Sequence, residues 1–348
     1  MHNAIFNSVS HENNMNILRY ALSIYIILIH VSGLVGYGWN YLPDGHVIIG
    51  CFFTMSGFLM YGTYQKDNSL KKYIRKRARR ILPPYFFIVL LCAFGLSIIS
   101  TYSIGDYFKS SEFWRYLLSN LSFLNFIQPN LPGVFDSLTF KISAVNGSLW
   151  TMKGEWLCYL SVPLIYSIIH NNIRIGRIVF IIIILLSIFI QFICDYLSVK
   201  TNIILYSVLG KQFGTLIVYF YIGAFINLNF TYFLKFKNYI LVISLFLLWF
   251  NTIVYNPIYA YLIKPFIWSF IIMFLCFTGR WGYKLSHHDN VSYDMYLFHF
   301  PIIQVIIYLG VPQIYKPYMV FLIVLFITII FSALSWNFIG KNFIRIIK

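Results

Sequence analysis

Apolar runs of about 20 residues recur along nearly the whole chain, separated by short polar stretches; that length crosses the hydrocarbon core of a bilayer as a helix. Ten such segments stand out, at about 17–36, 47–64, 81–103, 149–169, 178–197, 212–229, 239–255, 258–278, 291–309 and 317–339. They lack the alternating polar and apolar rhythm of barrel strands. Backbone groups in lipid must bond within their own segment, so the pattern predicts helices. The expected fold class is an all-α polytopic membrane protein of about ten transmembrane helices, residues 1–348 forming a single integral-membrane domain. Phe113 to Ile127 (FWRYLLSNLSFLNFI) is apolar but only 15 residues long and carries Arg115 and Asn120. It is expected to lie as a helix on the outer interface. Pro129, Pro132, Gly133 and Asp136 mark an ordered loop over 128–146, within an outer region spanning 104–148.

Composition supports this organisation. The chain of 348 residues is 59% hydrophobic and 10% charged, where a soluble domain carries about 25% charge. The N-terminal tail, 1–15, is polar without a basic region, and no small-residue cleavage site follows the first apolar run, which predicts an uncleaved first span. No internal repeat is visible, which disfavours transporters built from inverted halves. The five cysteines sit singly in apolar stretches without metal-ligand spacing, and they read as small buried hydrophobes.

The formal net charge of +16 is unevenly placed: eight of the 26 basic residues lie between Lys66 and Arg80. Apolar helices flank that run, so anionic lipid or a polyphosphate ligand fits it better than nucleic acid. With both termini in the cytoplasm, 18 Lys and Arg fall on the inner side and eight on the outer, the bias expected of inner loops. Counting 113–127 as a span would reverse every later loop and worsen that bias.

Ionisable groups inside apolar spans are costly and are functional candidates by default. Arg19 and His30 are 11 residues apart on the first helix. They therefore share one face, separated by roughly 16 Å along the axis. Arg19 also reads as a snorkelling anchor, and His30 as an interhelical hydrogen bond, yet a neutral imidazole suits acid/base or nucleophilic work near neutral pH. Glu155 lies about 9 Å below the start of its span and His30 about 9 Å from the outer end of the first. A carboxylate there suits orienting an imidazole, binding sugar hydroxyls, or pairing with a base such as Lys153. Ser56, beside Gly57, offers a hydroxyl where a ligand approaches closely, or simple helix packing. His299 precedes the Phe300-Pro301 step, with Asp294 and Tyr296 a turn nearer the cytoplasm. Arg77 and Arg80 are spaced i, i+3 just before Pro83. Guanidiniums so paired suit bidentate phosphate binding, although lipid anchoring explains much of this charge.

At these residues the sequence resembles the acyltransferase-3 family of bacterial membrane proteins that O-acylate cell-surface sugars. Arg19 and His30 resemble its first-helix pair. CFFTMSGFLM (51–60) is similar to its FFxxSGF segment, and RKRARRILPPYF (75–86) to its RxxR-I-x-P stretch. WTMKGEWLCYLSVP (150–163) resembles W-x4-E-x3-Y-x3-P, matching Trp150, Glu155, Tyr159 and Pro163. SYDMYLFHFPI (292–302) resembles SYxxYLxHxP on a late helix. The chain departs from the pattern in having few small residues after Arg19 and in Lys153 after Met152.

The resemblance implies transfer of an acyl group, usually acetyl, from cytoplasmic acetyl-CoA to a sugar hydroxyl of a cell-surface or lipid-linked glycan such as an O-antigen or other polysaccharide. It implies catalytic roles for His30, Glu155 and Arg19, donor binding by Arg77, Arg80 and Ser56, and a pocket lined by Trp150, Tyr296 and His299. His30 is either the base for the hydroxyl or a transient acyl carrier. The expected partners are acyl-CoA, the glycan acceptor and anionic lipid at the cytoplasmic face, without nucleic acid or metal. The expected location is the bacterial inner membrane. A transporter of a lipid-linked sugar or small solute is the alternative; it would move solute without consuming CoA. A scaffold of an envelope complex would tolerate loss of His30.

Overall fold

The computed structural model describes residues 13–39, 44–136, 140–170, 172–254, 262–279, 281–282 and 291–345. Their regular elements are all helical: α1 (Met15–Val35), α2 (Gly45–Lys66), α3 (Leu70–Gly95), α4 (Ile104–Lys109), α5 (Ser111–Leu121), α6 (Trp150–Ile169) and α7 (Ile173–Thr201). Next come α8 (Ile204–Lys211), a π turn (Gln212–Ile217) and α9 (Val218–Leu228), then α10 (Phe230–Ile253) and α11 (Lys264–Cys276). The chain closes with α12 (Ser292–Tyr308), α13 (Val311–Ile314), α14 (Pro317–Ser335), a second π turn (Trp336–Gly340) and α15 (Lys341–Arg345).

Each of the ten expected spans overlaps a helix among the described residues; residue 255 and residues 258–261, which two of the spans include, lie outside them. Seven helical stretches among the described residues are long and apolar enough to cross a bilayer: 15–35, 45–66, 70–99, 173–201, 204–228, 230–253 and 317–344. The other three segments correspond to α6, α11 and α12, which are shorter or more polar. The 15-residue segment at 113–127 forms only the 11-residue α5, too short to span. One face of α5 buries Phe113, Tyr116, Leu117 and Asn120, while Trp114 and Leu118 stay exposed. Helix ends follow local chemistry. The Asp44 side chain accepts from the His46 N–H to cap α2, and Asn172 does the same for Arg174 and Ile175 at α7. Pro83, Pro84, Pro163 and Pro301 all lie inside helices, which neighbouring helices in a membrane tolerate by re-satisfying freed backbone groups.

The chain folds into two units, each stitched from separate stretches. Unit 1 comprises 1–19, 43–73 and 154–288. Its centre is the α2–α9 crossing, where a Cβ on Gly57 would overlap the Phe220 carbonyl and one on Gly223 the Thr54 carbonyl. Backbones meet there because neither glycine has a side chain, the small-residue packing of membrane helices. Polar side chains bridge helices inside the unit: Thr54 Oγ1 lies 2.8 Å from Ser269 Oγ, and Asn227 Nδ2 donates to the Phe58 carbonyl at 3.0 Å. Helices α7 and α10 turn rows of Ile, Leu and Phe outward, the surface a lipid environment accepts without cost.

Unit 2 comprises 20–42, 74–153 and 289–348. Its core joins Ile27, Val31 and Leu34 of α1 to Met295, Phe300 and Ile303 of α12 and Val320 and Val324 of α14. The loop after α5 is tied to that core. Gln304 Nε2 donates to the carbonyls of Ile142 (2.7 Å) and Ala144 (3.0 Å), and Asn146 Nδ2 donates to the Leu297 carbonyl (2.9 Å). A Cβ on Gly147 would meet the Phe300 ring at 2.7 Å. The described part of the 128–146 segment is thus ordered by α12, which sets the position of the α6 N-terminus. All five cysteines are buried without disulfides, as small core residues.

Candidate active site

Helix α12 carries the polar centre of unit 2. His299 is fully buried, and its Nδ1 lies 3.1 Å from the Met295 carbonyl one turn back. A carbonyl only accepts, so Nδ1 bears the proton and the neutral ring presents a lone pair at Nε2. That Nε2 is 2.7 Å from His30 Nδ1 on α1. With the ring planes 17° apart and the centroids 4.9 Å apart, the two imidazoles meet end to end in nearly one plane. His30 Nδ1 must then be the donor, which leaves the lone pair of neutral His30 on Nε2. The Met295 carbonyl thus sets both tautomers. His30 is half-buried. The Phe300 ring stands edge-on to it at 5.5 Å.

Tyr296 continues this chain. Its ring centroid is 5.7 Å from that of His299. Its hydroxyl lies 3.0 Å from both the Ser148 carbonyl and Thr151 Oγ1, at the start of α6. Ser148 Oγ in turn approaches the Tyr296 carbonyl at 3.2 Å. The structure therefore brings His30, His299 and Tyr296 together and adds Ser148, Thr151 and the Met295 carbonyl. Trp150 opens α6 beside Thr151 and is half-buried.

One turn earlier on α12 lies a cationic cluster. The Arg80 guanidinium sits 4.6 Å above the Trp336 ring and 5.9 Å from the Tyr293 ring. Ser335 Oγ donates to Asp294 Oδ1 at 2.7 Å. Asp294 Oδ2, Trp336 Nε1 and Arg77 Nε are each buried without a hydrogen-bond partner among the described residues. Buried polar atoms in that condition are costly. Arg77 and Arg80 are half-buried, whereas Lys71, Lys72, Arg75 and Lys76 are exposed. Arg79 between them is half-buried as well, so the inner end of the basic run differs from its exposed start.

Unit 1 holds a third group. The Tyr159 hydroxyl donates to Glu155 Oε1 at 2.5 Å, one helical turn back, and lies 3.4 Å from Ser56 Oγ. The backbone carbonyl of Tyr159 accepts from the Tyr73 hydroxyl at 3.2 Å. Glu155 and Ser56 are both half-buried, so the i, i+4 pairing links the two through Tyr159. Arg19, half-buried, projects from the first turn and a half of α1. Among the described residues no group of three or more His, Cys, Asp or Glu is placed to hold a metal ion. Ser148, Thr151, Ser335 and Trp336 escape a reading of the sequence. Nothing in their local pattern sets them apart, and only the fold carries them to α12.

The acyltransferase-3 family model, described as an acyltransferase domain, matches residues 12–337. The chain is 23% identical over 342 residues to the O-acetyl transferase of Shigella phage Sf6, covering 96% of this chain and 97% of that protein. It is 24% identical over 197 residues to nodulation protein 10 of Rhizobium leguminosarum bv. viciae, 49% of each chain. No solved structure matches it. A histidine pair, an arginine pair and a Tyr-bound glutamate all lie inside the matched region, which leaves out only the two ends: the chain belongs to the acyltransferase-3 family and is an acyltransferase.

Proposed function

We propose that this chain is a multi-pass membrane O-acetyltransferase of ten spans with both termini cytoplasmic. It moves acetyl from cytoplasmic acetyl-CoA to a hydroxyl of a cell-surface or lipid-linked glycan. The likeness to the phage O-acetyl transferase supports the acyl group and the oxygen acceptor. The observation that carries the mechanism is the 2.7 Å contact from His30 Nδ1 to a His299 whose tautomer is set by Met295. It leaves the lone pair of neutral His30 on Nε2 and holds the ring against rotation. A positioned base of this kind contributes about 10²–10⁴-fold to rate.

In the reaction the glycan hydroxyl gives its proton to His30 Nε2 as its oxygen attacks the thioester carbonyl. The resulting imidazolium keeps donating through Nδ1 to neutral His299, a charge-assisted hydrogen bond present only once the proton has moved. Collapse of the tetrahedral adduct breaks the C–S bond. The proton passes from His30 Nε2 to the departing sulfur, giving free CoA and the acetyl ester. In this reading Arg77, Arg80 and Arg19 receive the donor's phosphates, and Glu155, held by Tyr159 with Ser56 nearby, accepts hydroxyl hydrogens of substrate. Base catalysis is favoured over an acyl-histidine, because the contact with His299 leaves a lone pair on His30 Nε2 that can take the hydroxyl proton and return it to sulfur without a covalent stage.

The test is glycan acylation in membranes supplied with labelled acetyl-CoA. His30→Ala should insert and bind acetyl-CoA normally while losing about 10²–10⁴-fold in transfer. Near-normal turnover by that variant would overturn the mechanism, and solute movement without CoA consumption would favour transport instead.

A further inference from the structure

Unit 1 contains a cavity of about 300 Å³ that includes none of the site residues described above, lined among others by Asp44, His46, Gln191, Asp195, Lys211 and Thr215. Tyr219 and Lys264 complete its polar wall. Its setting is unusual for polar groups. Gln191 and Asp195 belong to α7, within the most apolar of the spanning stretches. They are spaced i, i+4 and so share one helix face. Polar side chains in such a span mark function more often than packing.

The neighbouring backbone is shaped around them. A Cβ on Gly214 would overlap the Gln191 amide, and one on Gly210 would come within 2.8 Å of Asp195 Oδ1. On another wall, a Cβ on Gly50 would meet the Tyr219 ring at 2.6 Å. Three glycines thus make room for the amide, the carboxylate and the aromatic ring. Gly214 and Thr215 lie in the π turn Gln212–Ile217, and single widened turns of this type concentrate at functional sites. At the rim, Lys264 Nζ pairs with Asp44 Oδ2 at 3.6 Å.

The charges identify the ligand class. Two carboxylates face two ammonium groups, so with His46 neutral the lining carries no net charge. A phosphate site needs surplus cations and a cation site surplus carboxylates; this one has neither. It offers acceptors, donors, an amide that serves both ways and one aromatic ring. A hydroxyl both donates and accepts, so a ring bearing several hydroxyls satisfies such a mixed wall. The volume falls at the small end of ligand pockets.

We infer that this cavity binds one neutral sugar ring. In the enzyme's cycle it serves as a subsite that anchors the acceptor glycan, a role that rests on the glycan reading above. The charge bias of the loops puts Asp44, Lys211 and Lys264 at the outer ends of their helices, the side from which a surface glycan arrives.

The experiment measures direct binding of methyl α-D-glucopyranoside and methyl α-L-rhamnopyranoside to the full chain in lipid nanodiscs, without acyl donor, by saturation-transfer NMR. At least one glycoside should bind saturably and resist competition by inorganic phosphate. Gln191→Leu and Thr215→Val should each weaken it by about two- to tenfold, the worth of one neutral hydrogen bond, and their combination further. His30→Ala should bind as the unaltered chain does. If Gln191→Leu fails to fold, Thr215→Val alone carries the comparison. Absence of saturable glycoside binding, displacement by phosphate, or unchanged affinity in the folded variants would overturn the proposal. Glycoside binding that depends on Gln191 in a protein that never acylates a glycan would instead defeat the reading of the reaction and leave the subsite standing.

Discussion

At the scale of single residues, the chemistry rests on where protons sit. His299 touches no reacting atom in the proposed cycle; it positions His30 and steadies its charged form. Its bond to the imidazolium is charge-assisted, worth about 1.5–3 kcal/mol. His299→Phe should therefore lower kcat by about 10- to 150-fold with little change in KM for acetyl-CoA. His299→Gln, which keeps an acceptor, should recover part of the loss. Equal kcat in all three proteins would remove His299 from the mechanism. The arginine cluster gives a complementary expectation. Arg77→Ala should weaken acyl-CoA binding by about 10- to 150-fold, while Lys71→Ala and Lys72→Ala, exposed in the structure, should leave it nearly unchanged. Trp336→Leu should raise the acetyl-CoA KM by about two- to thirtyfold, the value of one cation–π contact, and Trp336→Phe should largely restore it. A uniform effect across the basic run would mark it as a lipid anchor, and a Trp336→Leu protein with normal KM would separate Arg80 from the donor.

Among the elements, α12 has the greatest reach: Tyr293, Asp294, Tyr296, His299 and Gln304 all project from it to different partners. Its interior Pro301 and its nearly complete burial suit a rigid post. The α2–α9 crossing is the corresponding element in unit 1, and it depends on two missing side chains. Gly57→Ala and Gly223→Ala would drive a methyl into backbone, which cannot swing aside as a side-chain tip can. Each should destabilise by about 1–3 kcal/mol, seen as a lower unfolding temperature in detergent. Gly33→Ala on α1 is the control: its Cβ would meet nothing within 4 Å, and helix propensity there favours Ala by roughly 0.5–1 kcal/mol. Equal unfolding temperatures for Gly57→Ala and Gly33→Ala would contradict the close crossing.

For the whole molecule, charge sets the expected sidedness. The distribution of 18 and eight basic residues predicts cytoplasmic reporters near 72, 175, 236, 284 and 345, and outer reporters near 41, 135, 205 and 314. A cytoplasmic signal from the 128–146 segment would invert the scheme and, with it, the side from which acceptor arrives. The same scheme requires α6, α11 and α12 to span although each is short or polar for the task. Neighbours make that feasible, since polar side chains on α12 are buried against protein and need no lipid-compatible face.

The sequence by itself determined that the chain is helical and membrane-embedded. Seven of the apolar segments form helices long and apolar enough to declare themselves, and hydrogen bonding in lipid leaves few alternatives. It also marked His30, His299, Arg77, Arg80, Ser56 and Glu155, because ionisable or polar groups in apolar surroundings stand out one at a time. What it left open was which of them meet. His30 and His299 are 269 residues apart, and no periodicity within either helix records the rotation that brings their ring nitrogens together. Trp336 reads as one more aromatic in a chain that is 20% aromatic, until the fold sets it under Arg80. Gln191 and Asp195 look like polar flecks near the end of a greasy helix. Only packing against Gly210 and Gly214 turns them into the wall of a cavity, because a pocket is a property of the space between helices, and that space is fixed by tertiary contacts alone.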